Sequence, residues 1–138
     1  MMEPGAPALE GSDPTCPERW SHPPVALFDE VRDLILTAFR LAGARVHTGT
    51  GLVPLFGDAG LPEPTLLQDV PTGGARSPIA ELTCLLFESL LPVLERHAVT
   101  TPAKIGLETL SARVLAAADE AHSQLRFFGL VGAWATLR

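Results

Sequence analysis

Residues 124–138 read QLRFFGLVGAWATLR, and this stretch decides which fold the sequence predicts. Successive side chains of a strand point to opposite faces, and over residues 127–135 both faces are largely apolar. A strand of this kind needs cover above and below, as the central strands of α/β sheets have. The pattern therefore predicts a central strand over residues 125–136.

One other clear strand is predicted, over residues 65–70, and its pattern differs. Leu66 and Val70 fall on one side, whereas the polar Thr65 and Asp69 fall on the other. This half-polar alternation is typical of a strand at the edge of a sheet. Because a two-stranded ribbon is only marginally stable by itself, the sequence indicates that the terminal strand needs neighbours that this chain does not provide.

The first predicted helix starts at Val25, after two prolines, and Gly43 can end it. Its apolar face is formed by Leu27, Val31, Leu34, Ile35, Ala38 and Ala42. Arg32 lies elsewhere on the helix. The sequence therefore predicts that Arg32→Ala is tolerated, whereas Leu34→Asp abolishes soluble folding because it places a charge mid-stripe.

A long helix is predicted next, with Ser77 as its N-cap and Pro78 at its first position. Its apolar stripe consists of Ile79, Leu82, Leu86, Leu90, Val93, Leu94 and His97. Pro92 should kink or split this helix, because an internal proline removes a backbone hydrogen bond.

Two further helices are predicted by the same periodicity. A short helix over residues 52–58 follows a loop at residues 48–51 and is closed by Gly60. The other runs from about residue 107 to residue 122, with Leu110, Val114, Ala117 and Ala121 facing inward.

Composition narrows the class of protein. A net charge of −6 and the lack of a long basic run argue against a nucleic-acid partner. No apolar run approaches the roughly 20 residues of a membrane span, and the acidic, proline-containing start does not resemble a signal peptide.

Cys16 and Cys84 lie outside any C-x-x-C pattern, which favours two reduced thiols in a soluble, cytoplasmic protein.

The chain divides into a tail and an ordered segment. Six of the 13 prolines fall within residues 1–24, among scattered glycine, serine and acidic residues. Such a composition cannot bury enough apolar surface to fold, so residues 1–22 are predicted to be a disordered, proline-rich tail. Trp20 is the exception and is expected to dock on the segment 23–138.

Five pieces of sequence carry a resemblance through their order and spacing. They are PPVALFDEV at residues 23–31, FGDAGLPEP at residues 56–64, VPTGG at residues 70–74, LLPVLER at residues 90–96 and LVGAWA at residues 130–135. Together they resemble the C-terminal portion of class I S-adenosylmethionine-dependent methyltransferases, of the bacterial small-molecule type. The resemblance covers about residues 23–138.

The resemblance implies a fold. In that family a seven-stranded sheet has helices on both faces, and the last strand lies antiparallel between the fifth strand and the sixth. Residues 65–70 then correspond to the sixth strand and residues 125–136 to the last. The expected fold class is α/β: a partial Rossmann-like methyltransferase fold, with the C-terminal strands and covering helices but without the donor-binding half.

The resemblance also implies a function. A complete enzyme of this kind transfers a methyl group from S-adenosylmethionine to an oxygen, nitrogen or carbon atom of a small molecule. The helices at residues 27–42 and 79–96 would supply walls of the acceptor pocket. The family's donor-binding glycine turn and its ribose-binding acid have no counterpart in these residues, so this chain alone is expected to be inactive and to bind no cofactor.

Two glycine-containing loops are candidates for a phosphate or cofactor site. Gly73 and Gly74 precede a helix but lack the G-x-G-x-x-G spacing that brings backbone close to a dinucleotide. The resemblance assigns them to the turn after the sixth strand, where they redirect the chain. The T-G-T-G run at residues 48–51 follows no predicted strand. Neither loop is therefore predicted to bind a cofactor.

Paired polar residues are the remaining candidates for chemistry. Asp29 and Asp33 lie four apart on one helix, where a solvated capping role is favoured over a shared proton or metal. Asp119 and His122 offer two metal ligands, but a third and a fourth are not evident. No catalytic, cofactor-binding or metal-binding residue is therefore predicted.

The histidines have two interpretations. His97 ends an apolar stripe, where a structural, dipole-facing histidine is the default. His22 and His47 lie near helix boundaries, in the region that shapes the acceptor pocket of the resembled family. A contact with the methyl acceptor is the alternative interpretation for these two.

Two other functions stay open. The chain is alternatively a non-catalytic α+β module that dimerises or binds a partner, or a small all-helical ligand-binding protein in which residues 125–136 form a buried irregular segment. An unpaired apolar strand edge is a template for another strand. The sequence therefore also predicts self-association through the C-terminal strand.

Overall fold

The computed structural model describes residues 20–44 and 48–137. This part of the chain is mixed α and β, with small antiparallel sheets. Its elements are β1 (Ser21–His22), α1 (Ala26–Leu41), α2 (Leu52–Asp58), β2 (Thr65–Asp69), β3 (Thr72–Gly73), α3 (Ile79–Arg96), α4 (Pro102–Ile105), α5 (Leu107–Glu120), β4 (Gln124–Arg126) and β5 (Leu130–Trp134). A 3₁₀ turn at Thr48–Gly51 leads into α2, where the sequence predicted a loop.

The helices α1, α3 and α5 form the body of the protein. Helix α1 packs along α3, and α3 also packs against α5. The fully buried side chains between them include Phe28, Ile35, Phe87, Leu94, Leu110 and Val114. Each such side chain stabilises the fold by about 1.5–3 kcal/mol through its removal from water, so the three helices share one hydrophobic core.

The predicted apolar faces of α1 and α5 are confirmed in most positions. Val31, Ile35, Leu110 and Val114 are buried as expected, whereas Ala42 is exposed. Helix α1 ends near Gly43, which has a φ of 80° that favours glycine. The periodicity of these helices therefore indicated their buried sides.

The predicted stripe of α3 is correct in part: Ile79 and Leu94 are buried, and Leu86, Leu90 and Val93 pack against the core. The buried residues of α3 are Ile79, Ala80, Thr83, Cys84, Phe87, Leu91 and Leu94. Leu82 and His97, both in the predicted stripe, are exposed. Apolar residues occur around most of this helix, so periodicity alone does not select one side. The largest of them, Phe87, lies on the buried side.

Pro92 does not split α3, which is continuous from Ile79 to Arg96. Pro92 and Glu88 both lie on the exposed side of the helix. Water can therefore solvate the Glu88 carbonyl group, which receives no N–H from the proline four residues later. The predicted split is wrong for this reason.

The predicted terminal strand is two strands. β4 lies between β1 and β3 in one sheet, whereas β5 pairs with β2 in another. At the bend between β4 and β5, the Phe127 N–H donates to the Pro71 carbonyl oxygen at 2.8 Å. Arg32 also contacts the bend, with hydrogen bonds to the carbonyl oxygens of Arg126 and Phe127. These long-range bonds turn the chain away from a continuous strand.

The pairing of β2 with β5 is antiparallel, and Leu67 lies opposite Gly132 at its centre. Within the described residues β2 and β5 pair only with each other, so both are edge strands. The predicted edge position of β2 is confirmed, whereas the predicted central position is wrong for β5. Residues 125–136 do not form the buried irregular segment of the all-helical alternative. That alternative is therefore wrong.

The predicted tail falls largely outside the described residues, up to residue 19. Its last residues belong to the structure, since Ser21 and His22 form β1 and pair with β4. The Trp20 carbonyl oxygen accepts a hydrogen bond from the Arg126 N–H at 2.8 Å. The expected docking of Trp20 is thus confirmed.

Candidate interaction surface

The loop that contains Gly73 and Gly74 is a closely packed turn. A Cβ atom on Gly73 would lie 2.5 Å from the Ser77 Cβ, so this position has no room for a side chain. The Ser77 N–H and Oγ both donate to the Gly74 carbonyl oxygen, at 3.0 and 2.6 Å. Because this N–H is used within the turn, it is not available to hold a phosphate.

Ser77 lies one residue before the N-cap of α3, which is Pro78. The Ile79 N–H donates to the Ser77 Oγ at 3.4 Å, which is long for a hydrogen bond. The predicted cap is thus displaced by one residue and is weak.

An open groove of about 850 Å³ lies between the start of α3 and α5. The residues that line it include the acidic Glu81 and Asp119 and the basic Arg76. Two negative groups against one positive group disfavour an anionic ligand. The groove therefore gives no support to a phosphate site next to the glycine pair.

The acidic residues of α1 contribute to the start of this helix. The Ser21 Oγ donates to the Asp29 Oδ1 at 2.9 Å and accepts from the Val25 N–H at 2.8 Å. Burial raises the pKa of Asp29, and the charge of Asp33 acts in the same direction, whereas Ser21 and Arg32 lower it. The predicted solvated capping role of Asp29 is therefore wrong: its carboxylate is half-buried and accepts from Ser21, and α1 has no side-chain cap hydrogen bond.

The raised pKa of Asp29 predicts a pH dependence of stability. Between the ordinary aspartate pKa of about 4 and the raised value, the folded state binds more protons than the unfolded state. The contribution of Asp29 to the free energy of unfolding is therefore lost as the pH rises through that window. Asp29→Asn keeps an oxygen that can accept from Ser21 but does not titrate, so its melting temperature should rise relative to the unmodified protein between about pH 3.5 and pH 6.5.

The matched control for this pH effect is Asp33→Asn. Asp33 is exposed and lies on the same helix. Melting temperatures from circular dichroism at both pH values check the prediction. A difference between Asp29→Asn and the unmodified protein that is constant with pH, or shrinks as pH rises, would contradict it.

The other predicted polar pairs do not form a site. Asp119 and His122 are exposed at the end of α5, as are His22 and His97 elsewhere. Within the described ranges, no group of three or more histidine, cysteine or acidic residues could hold a metal ion. His47 lies outside the described residues.

Cys84 is buried in the core beside α5. Burial raises the pKa of this thiol, and the Ser111 side chain and the Arg113 charge only partly oppose that effect. A thiol with a raised pKa stays protonated and is a poor nucleophile. The structure therefore gives Cys84 a packing role. Cys16 lies outside the described residues.

Helices α1 and α3, the predicted walls of the acceptor pocket, pack against protein rather than around a pocket. The buried sides of α1 and α3 pack against each other and form part of the core. The groove beside α3 is instead shared with α5. Neither helix thus offers its main apolar side to a ligand in this structure.

Arg32 is buried, although the periodicity of α1 placed it away from the apolar face. It is 2% exposed, and its Cζ lies 3.8 Å from the centre of the Trp20 ring and 4.0 Å from that of Phe128. Its Nη1 donates to the carbonyl oxygens of Arg126 and Phe127 at 2.6 and 3.1 Å. Stacking of a flat guanidinium between two rings is favourable, so Arg32 holds the bend that orients β5.

The antiparallel pair of β2 and β5, called the ribbon below, carries an exposed apolar surface. Its outer face consists of Thr65, Leu67, Asp69, Leu130, Gly132 and Trp134, which lie opposite each other in the register. Leu67 is 64% exposed, Leu130 55% and Trp134 53%. The 3₁₀ turn Thr48–Gly51 contacts β5, whereas the ribbon makes only slight contact with the three long helices. This exposed apolar face is the candidate interaction surface.

The two edges of the ribbon differ. Pro64 and Pro71 bracket β2, and Asp69 lies within it. Proline and charge are the features that keep an edge strand from pairing further. By contrast, residues 127–137 contain no charged residue and no proline. In the described part of the chain, β5 pairs with β2 alone, so its other edge has no strand partner, although the 3₁₀ turn Thr48–Gly51 lies near β5.

Comparison with protein-family models, with curated proteins and with solved structures gives no match to this chain. No helix among residues 20–44 and 48–137 combines the length and the apolar character that crossing a membrane requires.

Proposed function

We propose that this chain forms the C-terminal part of an S-adenosylmethionine-dependent methyltransferase that acts on a small molecule. The observation that carries the proposal is the antiparallel pairing of β2 with β5. In a Rossmann-like methyltransferase sheet the last strand pairs in this way with the sixth strand. The edge of β5 opposite β2 would then meet the fifth strand, and helices would cover the outer face of the ribbon.

The sequence and geometry of β5 support this assignment. It is uncharged and apolar on both faces, as a central strand is. In the ribbon, however, Leu130 and Trp134 are more than half exposed. Completion of a larger sheet would bury these side chains. Such enzymes act mainly by placing the acceptor atom in line with the methyl group, and this segment would contribute to the acceptor side.

The proposal predicts two binding results. Calorimetric titration of the isolated chain with S-adenosylmethionine should give no complex, because the chain lacks the donor-binding glycine turn. Addition of a donor-binding half, made of the first five strands of a bacterial small-molecule methyltransferase, should give a one-to-one complex by size-exclusion chromatography with light scattering. A micromolar, one-to-one complex of the isolated chain with S-adenosylmethionine would contradict the proposal.

Two proline substitutions show whether that complex forms through the edge of β5. Val131→Pro should prevent the complex, because a proline in a central strand removes a ladder hydrogen bond. Leu137→Pro lies outside β5 and should leave the complex intact. Circular dichroism checks that both variants keep their helices. A complex that forms equally well with both variants would exclude the β5 edge as the joint.

A second function is favoured by the independence of the helical core. Side chains such as Phe28, Phe87 and Leu94 are fully buried, and the core cluster to which they belong contains no residue of the ribbon. A body that is packed by itself and displays an apolar strand also suits a non-catalytic module that binds a partner. If the chain is folded but no donor-binding half joins it, this second function is the one supported.

A further inference from the structure

The strand β5 is complementary to itself. Its sequence LVGAW has Gly132 at its centre. When two such strands pair antiparallel about Gly132, Leu130 of one chain lies opposite Trp134 of the other, and Val131 lies opposite Ala133. Aromatic–aliphatic pairs across a ladder are favourable, and this register forms one such pair on each side of the centre.

Charge does not oppose this pairing. β5 contains no ionisable side chain, and neither do the residues that flank it between 127 and 137. The β2 edge is different, since Asp69 lies within it and prolines bracket it. A further strand along the β2 edge would bring the charge of Asp69 into the new ladder, and a charge of this kind disfavours pairing at an edge. The two edges therefore differ in their capacity to pair with themselves.

We infer that a second copy of this chain binds along the open edge of β5 and extends the ribbon to a four-stranded antiparallel sheet. The strand order is β2, β5, β5 of the second copy and β2 of the second copy, with a two-fold axis at Gly132. This interface is isologous, as in most homodimers. The inference concerns this chain by itself and does not depend on the methyltransferase proposal; a fifth strand bound at the same edge would exclude the second copy.

The interface is small. Pairing of two five-residue strands buries far less than the roughly 1,200 Å² of stable complexes. We therefore expect a dissociation constant on the order of 10–100 µM, in the weak range. The dimer exchanges with monomer and grows with concentration.

Cysteine cross-linking tests both the edge and the register. A Cβ atom on Gly132 has no heavy atom within 4 Å, so Gly132→Cys fits the ribbon. In a Cys16→Ser, Cys84→Ala background, two Gly132→Cys chains face each other at the two-fold axis, within the about 7 Å that a disulfide allows. Mild oxidation at about 50 µM protein, within the expected range of dissociation constants, should link them into a covalent dimer.

Leu67→Cys in the same background is the matched control. Leu67 lies directly opposite Gly132 in the ribbon, but its two copies would be three strand spacings apart, about 14 Å. Gly132→Cys should therefore cross-link at least about tenfold faster than Leu67→Cys, since the latter distance exceeds the disulfide limit. Both variants are also oxidised in denaturant, where their rates should be equal.

A second variant tests the Leu130–Trp134 pair without cross-linking. Leu130→Lys places a positive charge opposite Asp69 in its own ribbon, so the ribbon is retained while the dimer contact is lost. Its dissociation constant by sedimentation equilibrium should rise at least about tenfold, as expected for an edge lysine. Leu137→Lys removes an exposed leucine outside β5 and should leave the constant unchanged.

Each outcome decides the inference. Fast linking of Gly132→Cys together with weakening by Leu130→Lys supports the β5 dimer. Equal or faster linking of Leu67→Cys would overturn it in favour of another edge. The inference would also be overturned if the protein stayed monomeric at all concentrations and both cysteine variants cross-linked only at the rate measured in denaturant. None of these results requires S-adenosylmethionine or a donor-binding half, so the methyltransferase proposal is tested separately.

Discussion

Phe87→Ala should lower the free energy of unfolding by about 3–5 kcal/mol, the usual cost of removing a phenylalanine from a core. Phe87 is fully buried in α3, within the core cluster that unites α1, α3 and α5. Its removal deletes apolar contacts and leaves a cavity that the three helices only partly close. For a domain of this size the melting temperature should fall by about 10–20 °C. Chemical denaturation followed by circular dichroism measures the change.

Leu82→Ala is the matched control for Phe87→Ala. Leu82 lies on the same helix and belongs to the stripe that periodicity predicted, but it is 43% exposed. Its truncation should cost less than about 1 kcal/mol, since much of its side chain is already in water. If Leu82→Ala proved as destabilising as Phe87→Ala, the buried side of α3 described above would be wrong.

Arg32→Ala should also be strongly destabilising, by about 3 kcal/mol, through the loss of hydrogen bonds from a charged donor and of two ring contacts. The substitution also leaves the carbonyl oxygens of Arg126 and Phe127 without this donor. Because those atoms lie at the bend before β5, amide hydrogen exchange in β5 should become faster as well. Denaturant titration and exchange mass spectrometry check the two effects.

Two other arginine variants calibrate this result. Arg40→Ala removes an exposed arginine from the last turn of the same helix and should change stability by less than about 0.5 kcal/mol. Arg32→Lys keeps the charge but not the flat, forked donor group, so its effect should be intermediate. Equal stabilities for Arg32→Ala and Arg40→Ala would show that the stacked arginine contributes little.

Local signals explain why part of the fold was predictable. The prolines before α1 and Gly43 after it marked its ends, and the alternating pattern of β2 marked an edge strand. These features depend on residues close in sequence, where capping and periodicity act. The bounds of α1, α2 and β2 therefore agree with prediction to within one or two residues.

Long-range contacts explain why the terminal strand was not predictable in full. Alternation alone extends one strand through residues 125–136, and Gly129 is the one local signal of a bend between β4 and β5. The bend follows from Arg32, which is more than 90 residues earlier in the chain, and from Pro71. A single sequence shows neither contact, so it could not divide β4 from β5.

The candidate surface was predicted in outline and missed in detail. The apolar character of both sides of β5 indicated a strand that needs neighbours, and the exposed outer face of the ribbon follows from the same residues. The burial of Arg32 had no comparable signal. Its side chain is charged, and hydropathy scales therefore place it at the surface. Of its ring partners, Trp20 and Phe128, the second lies far from it in the sequence.

The positions of the two tryptophans make the protein its own optical reporter. Trp20 lies against Arg32 in the helical body, whereas Trp134 lies more than half exposed on the ribbon. With no tyrosine in the chain, near-ultraviolet emission comes from these two indoles. A strand that joins β5 should shift the emission of Trp134 to shorter wavelength, while unfolding should change that of Trp20. Trp134→Phe and Trp20→Phe would assign the two signals, so that assembly and unfolding can be followed separately in one unlabelled sample.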